Sequence, residues 1–288
     1  MTNPAPRGID HIVHAVRDLD ATAERYRRLG FTVGARNKHP WGTHNYIVQF
    51  PGFFIELLSV EEPEKIPPAG PPTFSFGTAA QEFLARQEGL AMLVLESRDA
   101  RADRDAFEAA GIGGYDAFDF EREARRPNGD VIKVAFSLAF AVDPKADAGF
   151  FVCQQHYPEN FWNPAFQSHA NRALGVAGVV FVASEPAAHA AFLAAFANAP
   201  AAETTADGIA VNTPRGVIEV VTPDIFQRRY GPPAPDVTRG MRLSALRLAI
   251  ADFADNAVQG ASRRVDSPSL VGRVQGAVLV LEPAVRVR

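Results

Sequence analysis

The stretch GIDHIVHAVRDLDATAERYRRLGFTV, residues 8–33, with NYIVQFPGFFIELLSV at 45–60, decides the fold. The run at 9–16 is largely apolar, carries His11 and His14, and fits a buried strand. Asp18 and Asp20 then offer short acceptors of the kind that cap a helix. Leu19, Ala23, Tyr26 and Leu29 recur at helical spacing, and Gly30 suits the residue just past a helix end. Three extended runs follow at 31–35, 45–50 and 53–60. The predicted order is β-α-β-β-β.

Working outward, that order returns. After a Pro-rich connection at 63–72 and an extra helix at 78–87, strands are expected at 89–97, 117–123, 131–142 and 149–155, with a helix at 99–110 closed by Gly111. A third copy runs from a strand at 176–183 through a helix at 186–197, with Pro186 suited to its start, to strands at 209–212 and 217–222. A fourth and weakest copy starts at 241–251, has a short helix at 253–258, and ends at 277–281. The strand starts keep no fixed period, so element order repeats rather than solenoid spacing. The expected class is α+β: βαβββ modules paired into curved, trough-shaped mixed sheets with helices outside. Residues 1–170 would form one pair and 171–288 a second, degenerate pair.

Composition excludes several classes. The 288 residues are 47% hydrophobic, with 29 basic against 33 acidic side chains and a net charge of −4. That balance lacks the basic footprint of a nucleic-acid binder. No run approaches the roughly 18 apolar residues of a membrane span, and the N-terminal residues lack an apolar signal core, so a cytoplasmic protein is expected. A single cysteine, Cys153, permits neither an internal disulfide nor a CxxC metal site. No Walker A loop, dinucleotide fingerprint or nucleophile elbow occurs.

The residues Gly8-Ile-Asp-His11 through Asp20, Leu29-Gly30-Phe31, 39–45 (HPWGTHN) and 53–58 (FFIELL) resemble the vicinal oxygen chelate superfamily, and within it the glyoxalase-like members. The resemblance in these motifs covers about the first 60 residues; beyond them it rests on element order and on 216–220 (GVIEV). It implies that the first strand supplies His11 and the last strand Glu56 to one divalent ion, Zn, Ni, Mn or Fe. Chemistry supports pairing them, because an ionised Glu in an apolar strand needs a partner or a cation. A metal-free His-Glu hydrogen bond is the alternative. The second module breaks the pattern: the position matching His11 falls near Met92, and Cys153 falls opposite Glu56. His156 becomes the nearest further ligand, provided a bulge turns it inward; otherwise it is a loop histidine.

In the third and fourth copies Gly178 and Leu279 occupy ligand-like positions, leaving Glu219 alone, with Arg215 as its expected local partner. No second metal site is expected there. His14, an odd number of residues from His11, should face the helix instead of the trough. His39, Trp41, Thr43, His44 and Asn45 lie in a turn that enters a strand and either grips a substrate or only fixes strand register, and Trp162 with Phe161 and Phe166 serves either core packing or an aromatic lid. His169 and His189 read as surface residues.

The implied function is a metal-dependent lyase, isomerase or epimerase that chelates neighbouring oxygens of a small-molecule substrate and stabilises an enediolate-like intermediate. The rivals are an extradiol-type dioxygenase and a non-catalytic sequestration protein of the bleomycin-resistance type. A homodimer is the expected partner arrangement, if there is one.

Overall fold

The computed structural model describes residues 5–68, 70, 72–125, 130–251, 262–263 and 269–284. Its elements follow the order β1 (Ile9–Ala15), α1 (Leu19–Arg28), β2 (Asn37–Lys38), β3 (Thr43–Phe50), β4 (Phe53–Val60), α2 (Phe76–Arg86), β5 (Gly89–Glu96) and α3 (Ala100–Ala109). Next come β6 (Phe118–Arg125), β7 (Val131–Ala141), β8 (Gly149–Gln155), α4 (Pro158–Phe161), β9 (Ala173–Val182), α5 (Ala190–Ala197), β10 (Glu203–Thr205) and β11 (Gly208–Asn212). The chain closes with β12 (Val217–Val221), α6 (Pro223–Tyr230), β13 (Arg242–Ile250), β14 (Ser262–Arg263), β15 (Leu270–Val274) and β16 (Ala277–Pro283).

Two eight-stranded mixed sheets result, ordered β2-β3-β4-β1-β5-β8-β7-β6 and β10-β11-β12-β9-β13-β16-β15-β14. The first sheet is two βαβββ modules side by side and the second repeats their strand order, so the α+β architecture of paired, curled sheets holds. The first strand of each module runs parallel to its last, β1 with β4 and β5 with β8, and the modules join through the antiparallel β1–β5 pair. The second sheet repeats this through β9–β13.

Local chemistry sets the elements. Asp18 caps α1 by accepting from the Ala21 amide at 2.9 Å, and the buried Leu19, Ala23 and Tyr26 form the face turned inward. Gly30 ends the helix at φ +84, where a Cβ would also lie 2.9 Å from Asn171. The run at 31–35, expected as a strand, makes no ladder. Its backbone link to the sheet is the Gly34 amide to Ile47 carbonyl bond at 2.9 Å, and the strand count is kept instead by the two-residue β2. The helix expected at 186–197 begins as a 3-10 turn and becomes α-helical at Ala190. The helix expected at 253–258 lies outside the described residues.

Alternation along β1 and β4 sends Ile12, Ile55 and Leu57 to a core that also contains Val179, Phe181 and Leu246 of the second sheet. Val13, Leu58, Val94, Phe151 and Cys153 pack on the opposite face of the first sheet. One apolar core therefore serves both sheets, and the first sheet keeps its other face for a cavity. His14 ties the halves together: Nδ1 meets the Tyr26 hydroxyl at 2.9 Å and Nε2 the Gln275 carbonyl at 3.0 Å. Burial pulls its pKa down to about 4. His169 and His189 are buried rather than superficial. His169 bridges the Gln49 carbonyl and the Thr32 amide, and His189 pairs with Asp143 at 2.6 Å. Among the described residues no helix is long and apolar enough to cross a membrane.

Candidate functional site

The concave face of the first sheet carries a cavity of about 120 Å³ that opens at its mouth. Its lining is mostly aromatic and apolar with a few convergent polar groups, the make-up of small-molecule sites. Every strand of the first sheet, β1 to β8, reaches it: Asn37, Thr43, Asn45, Ile47, Phe54, Glu56, Leu58, His11, Val13, Met92, Phe118, Phe120, Arg122, Phe136, Leu138, Phe151 and Cys153, with His39, Trp41, Phe76 and Phe161 from connections and helices. Ring contacts run continuously around the wall. His11 stacks on Phe54 at 4.2 Å, His39 on Trp41 at 4.8 Å, and Trp41 meets Phe120 edge-on at 4.9 Å.

The structure brings His11 and Glu56 to this one face. They are diagonal neighbours, because His11 pairs with Phe54 and Val13 pairs with Glu56. In the β1–β5 ladder Ile9 opposes Leu95 and His11 opposes Val94, so Asp10 is the extra residue of a bulge. The bulge lets consecutive side chains meet: His11 Nδ1 lies 2.6 Å from Asp10 Oδ1. A carboxylate only accepts, so Nδ1 carries the proton and Nε2 presents its lone pair. Nε2 has no protein partner among the described residues. Gln155 Nε2 steadies Asp10 from the other side at 3.1 Å. Asp10 was missed in the sequence, although an acidic residue inside an apolar run was a legible signal.

Glu56 is held by its own network. Asn45 Nδ2 donates to Glu56 Oε1 at 2.5 Å and to His39 Nε2 at 3.3 Å. His39 Nδ1 therefore bears the proton and donates to Thr43 Oγ1 at 2.8 Å. Burial pulls the His39 pKa below its ordinary value, Glu56 pushes it back up, and Arg122 and His44 push it down. Asn37 Nδ2 donates to Asn45 Oδ1 at 3.1 Å. Of the turn and strand residues expected to grip a substrate, His39, Trp41, Thr43 and Asn45 line the cavity, whereas His44 does not. Alternation turns His44 outward, where Nε2 meets Glu62 at 3.0 Å and Nδ1 meets Arg36. Trp162 lies in an outer cleft at the mouth with Phe166, while Phe161 reaches the inner wall, its ring 5.0 Å from that of Phe54.

His156, expected as a third ligand, is turned away from the trough. β8 keeps strict alternation past Cys153, with no bulge to bring His156 round. Its Nε2 bonds Ser137 Oγ at 2.8 Å in a separate cleft, and Ser137 donates its proton to Asp119 at 2.6 Å. The residue opposite His11 is Val94 rather than Met92. In the second sheet, Glu282 and not Leu279 takes the last-strand position, because Ala249 pairs with Glu282 as Val13 pairs with Glu56. The partners of Glu219 are Arg247 at 2.6 Å and Arg229 at 3.2 Å. Arg215 pairs instead with Glu96 at 3.2 Å.

These positions test whether a divalent ion suits the trough. Three imidazole or carboxylate side chains, His11, His39 and Glu56, line the cavity, but His39 Nε2 is taken up by the Asn45 amide, which leaves His11 and Glu56, while the second module offers Val94 and Cys153. Burial, with Asp10 and Glu56 nearby, raises the Cys153 thiol well above its ordinary pKa and keeps it protonated. Among the described residues no group of three or more His, Cys, Asp or Glu side chains is placed to hold an ion. The donor set does not fit a tightly held resident metal, since such sites take three or four protein ligands.

Residues 9–197 match the family model described as a glyoxalase-like domain. No curated protein matches the sequence. A hypothetical protein from Staphylococcus aureus superposes with a TM-score of 0.67 at 15% identity, covering 96% of this chain and 100% of that one. A mutant 4-hydroxymandelate synthase from Streptomyces coelicolor superposes at 0.51 and 14% identity over 86% and 72% of the chains. Methylmalonyl-CoA epimerase from the same organism, 21% identical, covers 53% of this chain and 99% of its own at a TM-score of 0.35. At these identities the solved structures bear on the fold alone, and the family model carries the assignment: the chain belongs to the glyoxalase-like domain family of the vicinal oxygen chelate superfamily.

Proposed function

We propose that the N-terminal trough is the active site of a glyoxalase-like lyase, isomerase or epimerase that moves a proton on a small, ring-bearing carbonyl compound. The observation that carries this reading is the 2.6 Å Asp10–His11 hydrogen bond inside an aromatic cavity, which leaves Nε2 without a protein partner. A carboxylate that fixes the tautomer and steadies the developing imidazolium is what a general base needs. His11 takes the proton from the carbon beside the carbonyl, and Glu56, oriented by Asn45, is the second proton-handling group. The rings exclude water and orient the substrate plane.

Deuterium wash-in tests this. Aromatic 2-oxo and 2-hydroxycarbonyl compounds are incubated in heavy water with chelator-treated protein and followed by proton NMR. Exchange is expected in the native protein, with a loss of at least about 100-fold in His11→Gln. Exchange abolished by chelation and restored by a divalent ion would move the chemistry to a metal. The continuous ring lining favours a second reading, capture without turnover, which binding with no exchange across the panel would support.

A further inference from the structure

Arg122 is a half-buried cation at the junction of the inner cavity and the outer mouth cleft, lining both. Among the described residues it has no carboxylate partner. Its one hydrogen bond runs from NH2 to the Asn37 amide oxygen at a long 3.4 Å. Burial pulls its pKa down, and no acidic side chain pushes it back. The nearby imidazole of His39 is neutral and contributes no negative charge. A guanidinium withdrawn from water without an anion is costly, and three other arginines withdrawn from water are matched: Arg229 and Arg247 by acids, Arg7 by Asp103.

We propose that the occupant of the trough is an aromatic carboxylate whose charge is seated on Arg122. This rests on the reading of the trough as a small-molecule site and specifies its substrate class. The fork of Arg122 can bind a carboxylate bidentately. The rings of Phe118, Phe120 and Phe136 come from the same strand or its β7 neighbour and form the adjoining wall, so the charged end sits at the mouth and the apolar body inside. A bond chain links this end to the other polar group: Arg122 to Asn37, Asn37 to Asn45, and Asn45 to Glu56. A single charge suits the site better than a phosphate dianion, because one guanidinium compensates one charge and Glu56 opposes a second. At the centre of the second sheet the inward arginine, Arg247, is already engaged by carboxylates.

Calorimetric titration of trans-cinnamate, trans-cinnamamide and phenyl phosphate separates charge from shape. The native protein is expected to bind cinnamate at least about tenfold more tightly than the amide, with phenyl phosphate weaker than cinnamate. Arg122→Gln should abolish the preference for the acid while leaving amide affinity within about threefold, which also reports an intact cavity. Equal binding of acid and amide, or an Arg122→Gln variant that keeps the preference, overturns the anion seat while the small-molecule reading stands. Tighter binding of phenyl phosphate overturns the single-charge argument. If neither cinnamate nor the amide binds the native protein at millimolar concentration, the anion seat and the reading of the trough as an aromatic site both fail.

Discussion

The two sheets have the same strand order but put their four central inward positions to opposite uses. Register makes His11, Glu56, Val94 and Cys153 of the first sheet equivalent to Gly178, Glu219, Arg247 and Glu282 of the second. In the first sheet His11, Glu56 and Cys153 border an aromatic cavity, with Val94 packed among its apolar neighbours. In the second, Arg247 fills the centre, clamped bidentately by Glu282 at 2.8 and 3.1 Å and bonded to Glu219 at 2.6 Å. Burial works against the Arg247 charge, but the bonds and charges of Glu282 and Glu219 outweigh it and raise its pKa. A Cβ at Gly178 would lie 2.5 Å from the Val217 carbonyl oxygen, so no imidazole could stand where His11 stands. The comparison teaches that one scaffold can fill the centre of its trough with an internal ion network in one sheet and leave the same place open as a cavity in the other.

The strongest way to break this contrast is Arg247→Ala. It leaves Glu219 and Glu282, each about one-fifth exposed, facing each other without their shared cation. Removing one member of a largely buried pair costs about 2–4 kcal/mol. Urea denaturation should show that loss, while cinnamate binding to the native state of the variant stays unchanged. A loss under about 0.5 kcal/mol would mean the network is solvent-screened and not structural.

The α+β architecture was legible because the β-α-β-β-β order is written in short elements with strong punctuation: Asp18 before α1, Gly30 after it, Gly52 between β3 and β4. That His11 and Glu56 belong together was implied by the family resemblance, and the parallel β1–β4 pairing brings both to the cavity face. What could not be read depends on register. Val94, Glu282 and Arg247 acquire their places from which residue pairs with which across modules, and shifts of two and three residues moved the expected positions to Met92 and Leu279. Arg122 was invisible for the same reason, lying on a strand whose inward phase is set by β7. His156 was expected on condition of a bulge, and the bulge occurs instead at Asp10.

Acid should weaken the joint between the halves next. His14 has a folded-state pKa of about 4 against an ordinary value of 6.5. The unfolded chain takes up a proton as pH falls below about 6.5 while the folded chain does not, so stability declines from there until the folded pKa is passed. The loss has an upper bound of about 3 kcal/mol. His39 and His169, whose values burial also lowers, add in the same direction. Denaturation between pH 7 and 4 should therefore be steeper for the native chain than for His14→Gln, which keeps a polar group for Tyr26 or Gln275 and does not titrate. Parallel pH profiles would show that the joint does not depend on a neutral imidazole.

The smallest effect is the most discriminating, because it applies one substitution to two equivalent positions. Glu219→Gln removes the charge that Arg229 and Arg247 share, and should cost about 1–2 kcal/mol, since Asp207 and Glu282 still hold the two guanidiniums. Glu56→Gln keeps an oxygen for Asn45 and removes no ion pair with an arginine, so its cost should stay within about 1 kcal/mol. On ligand the order inverts. Glu56→Gln removes a negative charge from the cavity that also holds the carboxylate on Arg122, so cinnamate should bind a few-fold more tightly while proton exchange is lost, whereas Glu219→Gln should alter neither. Stability and binding measured on the two variants together place each glutamate. If both substitutions destabilise equally and neither touches binding, Glu56 is a structural charge like Glu219, and the two troughs do not differ in use.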